Sequence, residues 1–176
     1  MPAYHSTFLA EQDQDTREVG NMAILPLKTQ FKGPAYPCMS DYDIIDEIID
    51  LFRANSFFKN FEIKGPADRL LIYGILFISQ CLNTINMRTT HSEAIKSLTN
   101  LSLDDFSIPG DIRFPLNSMY LPPGDKNDAL LLRQYLAQFR QELSSRLIGR
   151  LYADSTDKPS KFWMAFAKKK FMNKSL

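Results

Sequence analysis

The sequence predicts an all-α protein of about five helices. From residue 41 onward, apolar residues recur every three or four positions, which is the period of an amphipathic helix. Prolines and glycines fall mostly between these periodic stretches, and no stretch alternates apolar and polar residues long enough to predict a strand. With 176 residues, of which 44% are hydrophobic, the chain is large enough to enclose one core. We therefore expect a single helical domain over residues 41–176.

Residues 1–40 have neither a helical nor a strand period, and we interpret them as an extended arm packed on the helical domain. Pro26 interrupts the apolar run at residues 22–27, and proline cannot donate a hydrogen bond to a central strand. The apolar side chains expected to pack on the body are Ile24, Leu25, Leu27 and Phe31. The alternative is a disordered tail, which this apolar content disfavours.

The first helix is predicted at about residues 42–53. Ser40 and Asp41 are residue types that cap helix N-termini, and acidic residues crowd the first turns, where the helix dipole favours them. Its apolar positions recur at helical spacing: Ile44, Ile45, Ile48, Ile49 and Phe52. These positions form one apolar stripe that should face the core.

The second helix, at about residues 66–87, is predicted to lie at the centre of the fold. Pro66 suits a first helical turn, and residues 70–78 are apolar on every side, which indicates burial all round. A membrane span and a buried strand are the alternatives. A span needs about twenty apolar residues, whereas polar residues from Ser79 onward leave only nine in an uninterrupted run. A helix enclosed by the others fits better.

The remaining elements are a short helix, a long loop and two more helices. Residues 92–98 predict the short helix, and prolines punctuate the loop that follows it. Apolar residues should pin this loop to the surface: Phe106, Ile108, Phe114, Leu116, Met119 and Tyr120. The fourth helix is predicted at about residues 127–152. The fifth should begin near Pro159, with Asp157 as its cap.

The residue types for catalysis or metal binding do not occur in suitable patterns. His5 and His91 lie far apart and lack partners at metal-ligand spacing, and Cys38 and Cys81 are interpreted as a loop thiol and a core thiol. The sequence has no glycine-rich phosphate loop and no nucleophile elbow. We therefore expect no enzymatic activity and no cofactor. The first fifteen residues do not resemble a secretory signal, so we expect a cytoplasmic location.

The last twenty residues combine cations with large aromatic residues and contain no acidic residue after Asp157. The candidate partner interface consists of Lys158, Lys161, Trp163, Lys168, Lys169, Lys170 and Lys174. Trp163 is either a core anchor or an interface hot spot. The run Lys168–Lys170 is either a solvated face or a docking site. A net charge of +1 and one helical turn of lysines disfavour nucleic acid, which usually needs about six to ten phosphate contacts. An acidic protein surface fits better than nucleic acid or a membrane.

Several ordered blocks of sequence resemble one known family. They include residues 1–6 (MPAYHS), 20–27 (GNMAILPL), 30–35, 43–47, 54–64 (ANSFFKNFEIK), 67–69, 71–73, 114–117, 157–163 (DKPSKFW), 168 and 171–176. These blocks resemble subunit 3 of the actin-related protein 2/3 complex, and they span nearly the whole chain. Residues 87–106 and 121–130 depart from the pattern of animal members, which points to a divergent, fungal member.

The resemblance implies a non-enzymatic structural subunit in which one helix is surrounded by the rest. It implies attachment to actin-related protein 3 within a seven-subunit complex, close to actin-related protein 2 and to the mother filament. Such a subunit would support filament nucleation and branch-junction stability in the cortical actin cytoskeleton, with no cofactor of its own. Two other classes stay open: a free-standing adaptor for a peptide or an anionic membrane, and an enzyme, which would need a pocket with perturbed pKa values.

Overall fold

The computed structural model describes residues 3–8 and 17–176, and its elements confirm the predicted helical class. A short hairpin, β1 (Arg17–Val19) and β2 (Met22–Ile24), precedes the helices. The helices are α1 (Ile44–Asn55), α2 (Pro66–Thr84), α3 (His91–Leu103), α4 (Lys126–Leu151) and α5 (Lys161–Met164). A 3-10 turn at Phe171–Asn173 follows α5.

Helix α2 lies at the centre of the fold, as predicted. Pro66 occupies its first turn, and every residue from 70 to 78 is buried. Helices α1, α3 and α4 and strand β2 all contact it. The helix ends at Thr84, three residues before the predicted boundary. The side chains of Asn83 and Thr84 donate hydrogen bonds to the carbonyls of Ser79 and Gln80, four residues earlier. Side-chain bonds of this kind destabilise the end of a helix.

The crossing of α1 and α2 depends on Gly74. A Cβ atom at this position would lie 2.5 Å from Cδ1 of Ile48 on α1. Glycine therefore lets the two helices approach more closely than any other residue would. In the part of the chain that the structure describes, no helix is both long enough and apolar enough to cross a membrane.

Helix α1 begins two residues later than predicted, because Asp43 caps it rather than Ser40 or Asp41. The Asp43 carboxylate accepts from the Asp46 N–H, and the Asp46 carboxylate accepts from the Asp43 N–H, each at 3.0 Å. This reciprocal pair satisfies two backbone donors at once. The usual signature is Ser or Thr followed by Glu or Gln, so two aspartates did not mark the start clearly.

The arm contains the hairpin β1–β2, which the sequence did not predict. Val19 pairs with Met22 across a two-residue loop, and Gly20 has φ = +60° at its first position. Glycine adopts this left-handed conformation without steric cost. The strands have only three residues each. Three residues are too short for an alternating pattern to stand out.

Three of the four arm residues expected in the core are buried there, namely Ile24, Leu25 and Leu27. The expectation was wrong for Phe31, whose side chain is 38% exposed. Gln138 on α4 holds this part of the arm by its backbone instead: its amide donates to the Phe31 carbonyl and accepts from the Ala35 N–H, each at 2.9 Å. The backbone is anchored, so the Phe31 ring remains at the surface.

The first described residues are tied to α1 and α2 by buried polar side chains. The carboxylate of Asp68, which is fully buried, accepts from the Ser6 N–H at 2.9 Å and lies 2.8 Å from Nδ1 of His5. Glu47 accepts from the Thr7 N–H at 2.9 Å. His5 therefore has a hydrogen-bond partner in the fold, the Asp68 carboxylate.

Helix α3 is longer than predicted and begins after Thr90, whose hydroxyl accepts from the Glu93 N–H. The loop between α3 and α4 is pinned as predicted: Ile108, Phe114, Leu116 and Tyr120 are buried, and Phe106 and Met119 are partly buried. Helix α4 begins one residue before its predicted start, and Asp125 caps it.

Arg146 on α4 links that helix to the start of α1. Its guanidinium donates to both carboxylate oxygens of Asp43, at 2.7 and 2.8 Å, and to Glu142 at 2.8 Å. Burial would raise the pKa of Asp43. The hydrogen bonds from Arg146 and from backbone N–H groups outweigh that effect, so the pKa lies below its ordinary value of 3.8.

Replacing Asp43 with asparagine should make the protein less stable at neutral pH and less sensitive to acid. A carboxylate with a lowered folded-state pKa contributes stability above its unfolded pKa, and this contribution disappears as the pH falls through the folded value. We expect Asp43→Asn to lower the free energy of unfolding at pH 7 by about 1.5–3 kcal/mol. Urea titrations between pH 7 and pH 2 should show a smaller loss of stability below about pH 4 for the variant than for the wild type. Some loss should remain in the variant, since the lowered pKa of Asp111 is common to both. Parallel pH profiles for the two proteins would contradict this assignment.

Candidate partner interface

The C-terminal segment, residues 157–176, is less helical than predicted. Helix α5 covers only four residues and begins after Ser160, so Asp157 is not its cap and Pro159 precedes it. The Ser160 N–H donates to the Leu151 carbonyl at 2.8 Å, which joins the segment to the end of α4. Turns follow from Ala165 onward. The prediction that Lys168–Lys170 spread over a helix was therefore wrong, because they follow α5 in a turn and an irregular stretch.

Trp163 has the core placement of its two alternatives. Its side chain is 6% exposed, and its ring stacks on Phe52 of α1 at 5.8 Å between centroids and 13° between planes. Phe166 meets the edges of Phe52 and Phe57 at 6.4 and 5.4 Å. The aromatic residues of the segment thus anchor it to α1 and to the connector after α1.

The end of the chain is held equally firmly. Phe171 is fully buried and meets the edge of Phe61 at 5.6 Å. The Met172 N–H donates to the Phe58 carbonyl at 2.9 Å, and Asn83 of α2 donates to the Ala167 carbonyl at 2.7 Å. The positions of the intervening lysines are therefore set by anchors on both sides of them.

Most of the candidate lysines lie at the surface. Five of them are exposed and Lys174 is partly buried. Within residues 3–8 and 17–176, none of the six forms an ion pair. Four of them line a cavity of about 370 Å³ beside α2: Lys168, Lys169, Lys170 and Lys174. Lys158 and Lys161 lie outside that cavity, before and at the start of α5.

Sequence reasoning missed the surface beside these lysines. The Arg53 guanidinium lies 5.2 Å from the ring centroid of Phe162, and Nζ of Lys169 lies 5.1 Å from that of Phe57. Phe57 and Phe162 are 59% and 72% exposed. We call these four residues the basic–aromatic patch. The four-residue spacing of Arg53 and Phe57, on either side of the end of α1, was the only hint of this surface in the sequence. Their contacts with the C-terminal segment depend on the tertiary fold.

Comparisons with known proteins identify the family. A model of the P21-Arc family, described as the ARP2/3 complex ARPC3 (21 kDa) subunit, matches residues 1–176. The chain belongs to the p21-Arc family. It is 61% identical to actin-related protein 2/3 complex subunit 3 of Saccharomyces cerevisiae and 58% identical to that of Schizosaccharomyces pombe, with both chains of each pair fully covered. It is 46% identical to the probable subunit 3 of Caenorhabditis elegans, covering all of this chain and 96% of the relative.

The p21-Arc membership confirms the resemblance found in the sequence and gives the basic segment its context. Other groups in this p21-Arc chain have structural explanations. The Cys81 thiol is buried, which raises its pKa, and the ring of His91 meets the edge of Tyr152 at 5.3 Å. Among the described residues, no three His, Cys, Asp or Glu side chains are grouped so that they could hold a metal ion.

Proposed function

We propose that this chain is a structural subunit of the actin-related protein 2/3 complex, in which it supports actin filament nucleation and branch-junction stability without catalysing a reaction. The whole-length match to the p21-Arc family carries this proposal. The proposed partners are actin-related protein 3 and the other subunits, with actin-related protein 2 and mother-filament actin close by. The proposed location is the cytoplasmic actin cytoskeleton.

The chemistry of the described residues supports a structural role. The groups whose pKa values are shifted are buried tyrosines, the buried Cys81 thiol and side chains in hydrogen-bonded or ionic pairs, such as Asp43 with Arg146. Each shift follows from burial or from a partner that also links two elements of the fold. These groups stabilise the subunit and need no reacting substrate to explain them.

The exposed lysines of the C-terminal segment support the proposal that this end docks an acidic surface of the assembly. The cations project from a backbone that buried aromatic residues hold in place, so docking costs little ordering of the segment. Trp163 would act through that anchoring rather than by direct contact, because it packs on Phe52. Charges of this kind accelerate and orient encounter more than they add affinity.

Absence of this chain should reduce branching by the assembly. Purified assembly that lacks the chain is expected to form fewer branches per length of filament than the whole assembly, and adding back the full chain should restore them. Fluorescence microscopy of growing filaments measures branch density directly. An assembly that branches equally well without the chain would overturn the proposed function.

Reversing the charge of Lys168, Lys169 and Lys170 to glutamate should slow incorporation into the assembly by about tenfold or more at low salt, because steering of this kind changes association rates by that order. The subunit should still fold, since all three side chains are exposed. The deficit should shrink as salt rises, because dissolved ions screen the attraction between the charges. At physiological ionic strength, charges more than about 8 Å apart are already largely screened.

The matched control reverses three exposed lysines elsewhere, Lys32, Lys96 and Lys126, which gives the same change in net charge. Incorporation at two salt concentrations, together with branch counts, compares the two variants. Equal rates for wild type and the Lys168–Lys170 variant at low salt would show that the run is only a solvated surface.

A further inference from the structure

Arg140 on α4 is a buried cation without a carboxylate partner among the described residues. Its side chain is 2% exposed, and its Nη atoms donate to the Tyr73 hydroxyl at 3.3 Å and to the Leu101 carbonyl at 2.8 Å. Its Nε has no hydrogen-bond partner in the described chain. No carboxylate of residues 3–8 or 17–176 lies within the 4.0 Å of an ion pair.

The neighbours of Arg140 compensate its charge only in part. The ring centroids of Phe77 and Phe106 each lie 4.5 Å from the guanidinium carbon, and aromatic faces attract cations. The two hydrogen-bond acceptors are neutral. A buried charge without a counter-charge is costly, and a planar guanidinium matches a carboxylate in shape and in hydrogen bonding. The missing group is therefore an anion.

A cavity of about 250 Å³ lies against Arg140. Its walls include Tyr73, Gln80, Leu101, Phe106, Ser107 and Leu176. The exposed residues Asp104, Asp105 and Arg113 also line it. These exposed residues connect the cavity to solvent. Since the Tyr73 hydroxyl oxygen accepts from Arg140, its own proton remains available to a ligand.

The charges of the cavity wall limit the anion that it can hold. Among the side chains of the wall, Arg140 and Arg113 contribute two positive charges, and Asp104 and Asp105 contribute two negative charges. A dianion would be repelled by the two aspartates, while a planar monoanion can reach Arg140 with less repulsion. The carboxylate group is the planar monoanion that proteins carry.

We propose that this cavity is a carboxylate-binding site, and that an Asp or Glu side chain of a neighbouring subunit fills it in the assembly. The identity of the donor rests on the proposed function, but the carboxylate chemistry of the cavity does not. Helix α4, the end of α3 and the loop after α3 meet at this site. An inserted carboxylate would thus couple docking to the packing of these three elements.

Nuclear magnetic resonance of the full-length chain tests the cavity without any substitution. The Arg140 Nε–H resonance, labelled with nitrogen-15, is followed during titration with sodium acetate, sodium chloride and sodium sulfate at matched ionic strength. We expect a saturable shift with acetate and none with chloride or sulfate. Equal responses to the three salts would overturn the proposal, because screening or an adventitious ion would then explain them.

Two variants locate the response. Arg140→Met keeps a side chain of similar length and should weaken acetate binding by about tenfold or more, the factor expected when a charge-assisted hydrogen bond is lost. Arg150→Met, at an exposed position of the same helix that does not line the cavity, should leave acetate binding unchanged. If Arg140→Met does not fold, Tyr73→Phe serves instead, because it removes the second donor. Acetate binding that appears only in an Asp104→Asn/Asp105→Asn variant would show that the cavity is neutralised internally, and would overturn the partner site.

Incorporation into the assembly then identifies the donor. We expect Arg140→Met to dissociate from the purified assembly about tenfold faster than wild type, while Arg150→Met behaves as wild type. If acetate binds but the Arg140 variant incorporates and dissociates normally, the neighbouring side chain is not the ligand and that half of the proposal is wrong. If the wild-type chain fails to incorporate at all, the proposed function fails, whereas the acetate result stands by itself.

Discussion

Trp163→Ala is expected to lower the free energy of unfolding by about 3–5 kcal/mol, the range for truncating a buried tryptophan. Trp163 stacks on Phe52 of α1 and is the only described tryptophan in the segment that holds the chain end to the body. Truncation removes this contact and leaves Phe52 without its stacked neighbour. Urea titration followed by circular dichroism measures the loss.

The neighbouring Phe162 provides the control, because it is 72% exposed one position along the same helix. Phe162→Ala should change stability by no more than about 0.5 kcal/mol, as surface substitutions usually do. It should instead weaken assembly if the basic–aromatic patch contacts a partner. Equal destabilisation by the two substitutions, or none by either, would contradict the placement of Trp163 in the core.

Leu76→Ala should cost about 2–5 kcal/mol of the free energy of unfolding through lost burial and cavity formation. Leu76 is 1% exposed on α2, which α1, α3 and α4 surround. A loss of this size is a large part of the total stability of about 5–15 kcal/mol that is usual for a domain. The urea midpoint, with an unchanged slope, is the quantity to compare.

Leu130→Ala is the matched control for Leu76→Ala. Leu130 lies on α4 and is 55% exposed, so the same chemical change there removes little buried surface. We expect its urea midpoint to stay close to that of the wild type. An unchanged midpoint for Leu76→Ala would mean that α2 is not the enclosed centre of the fold.

The long helices could be predicted from the sequence because each carries a signal over many residues. The apolar run of α2 excludes solvent on every side, and the periodic apolar positions of α4 fix its bounds within one residue of the structure. Short elements lack such a signal. Each strand of the hairpin has three residues, and α5 has four, so tertiary contacts such as the Ser160–Leu151 hydrogen bond decide where they lie.

The candidate interface could be predicted only in outline. The composition of the last twenty residues indicated a cluster of six lysines, and the structure leaves five of them exposed. The composition did not indicate that Arg53 meets Phe162 or that Arg140 lies buried against a cavity. Both features bring together residues that are far apart in the sequence. Trp163 likewise needed the structure, since a tryptophan among lysines suits a core and an interface equally well.

Membership of the assembly is tested most directly by size-exclusion chromatography of a native extract from cells that express a tagged copy of the chain. We expect the 20.2 kDa chain to migrate with the actin-related proteins in a particle many times its own mass. The tag should also recover those proteins from the same fractions. Migration of all the tagged chain as a 20.2 kDa monomer, apart from the actin-related proteins, would contradict the proposal that it is a structural subunit.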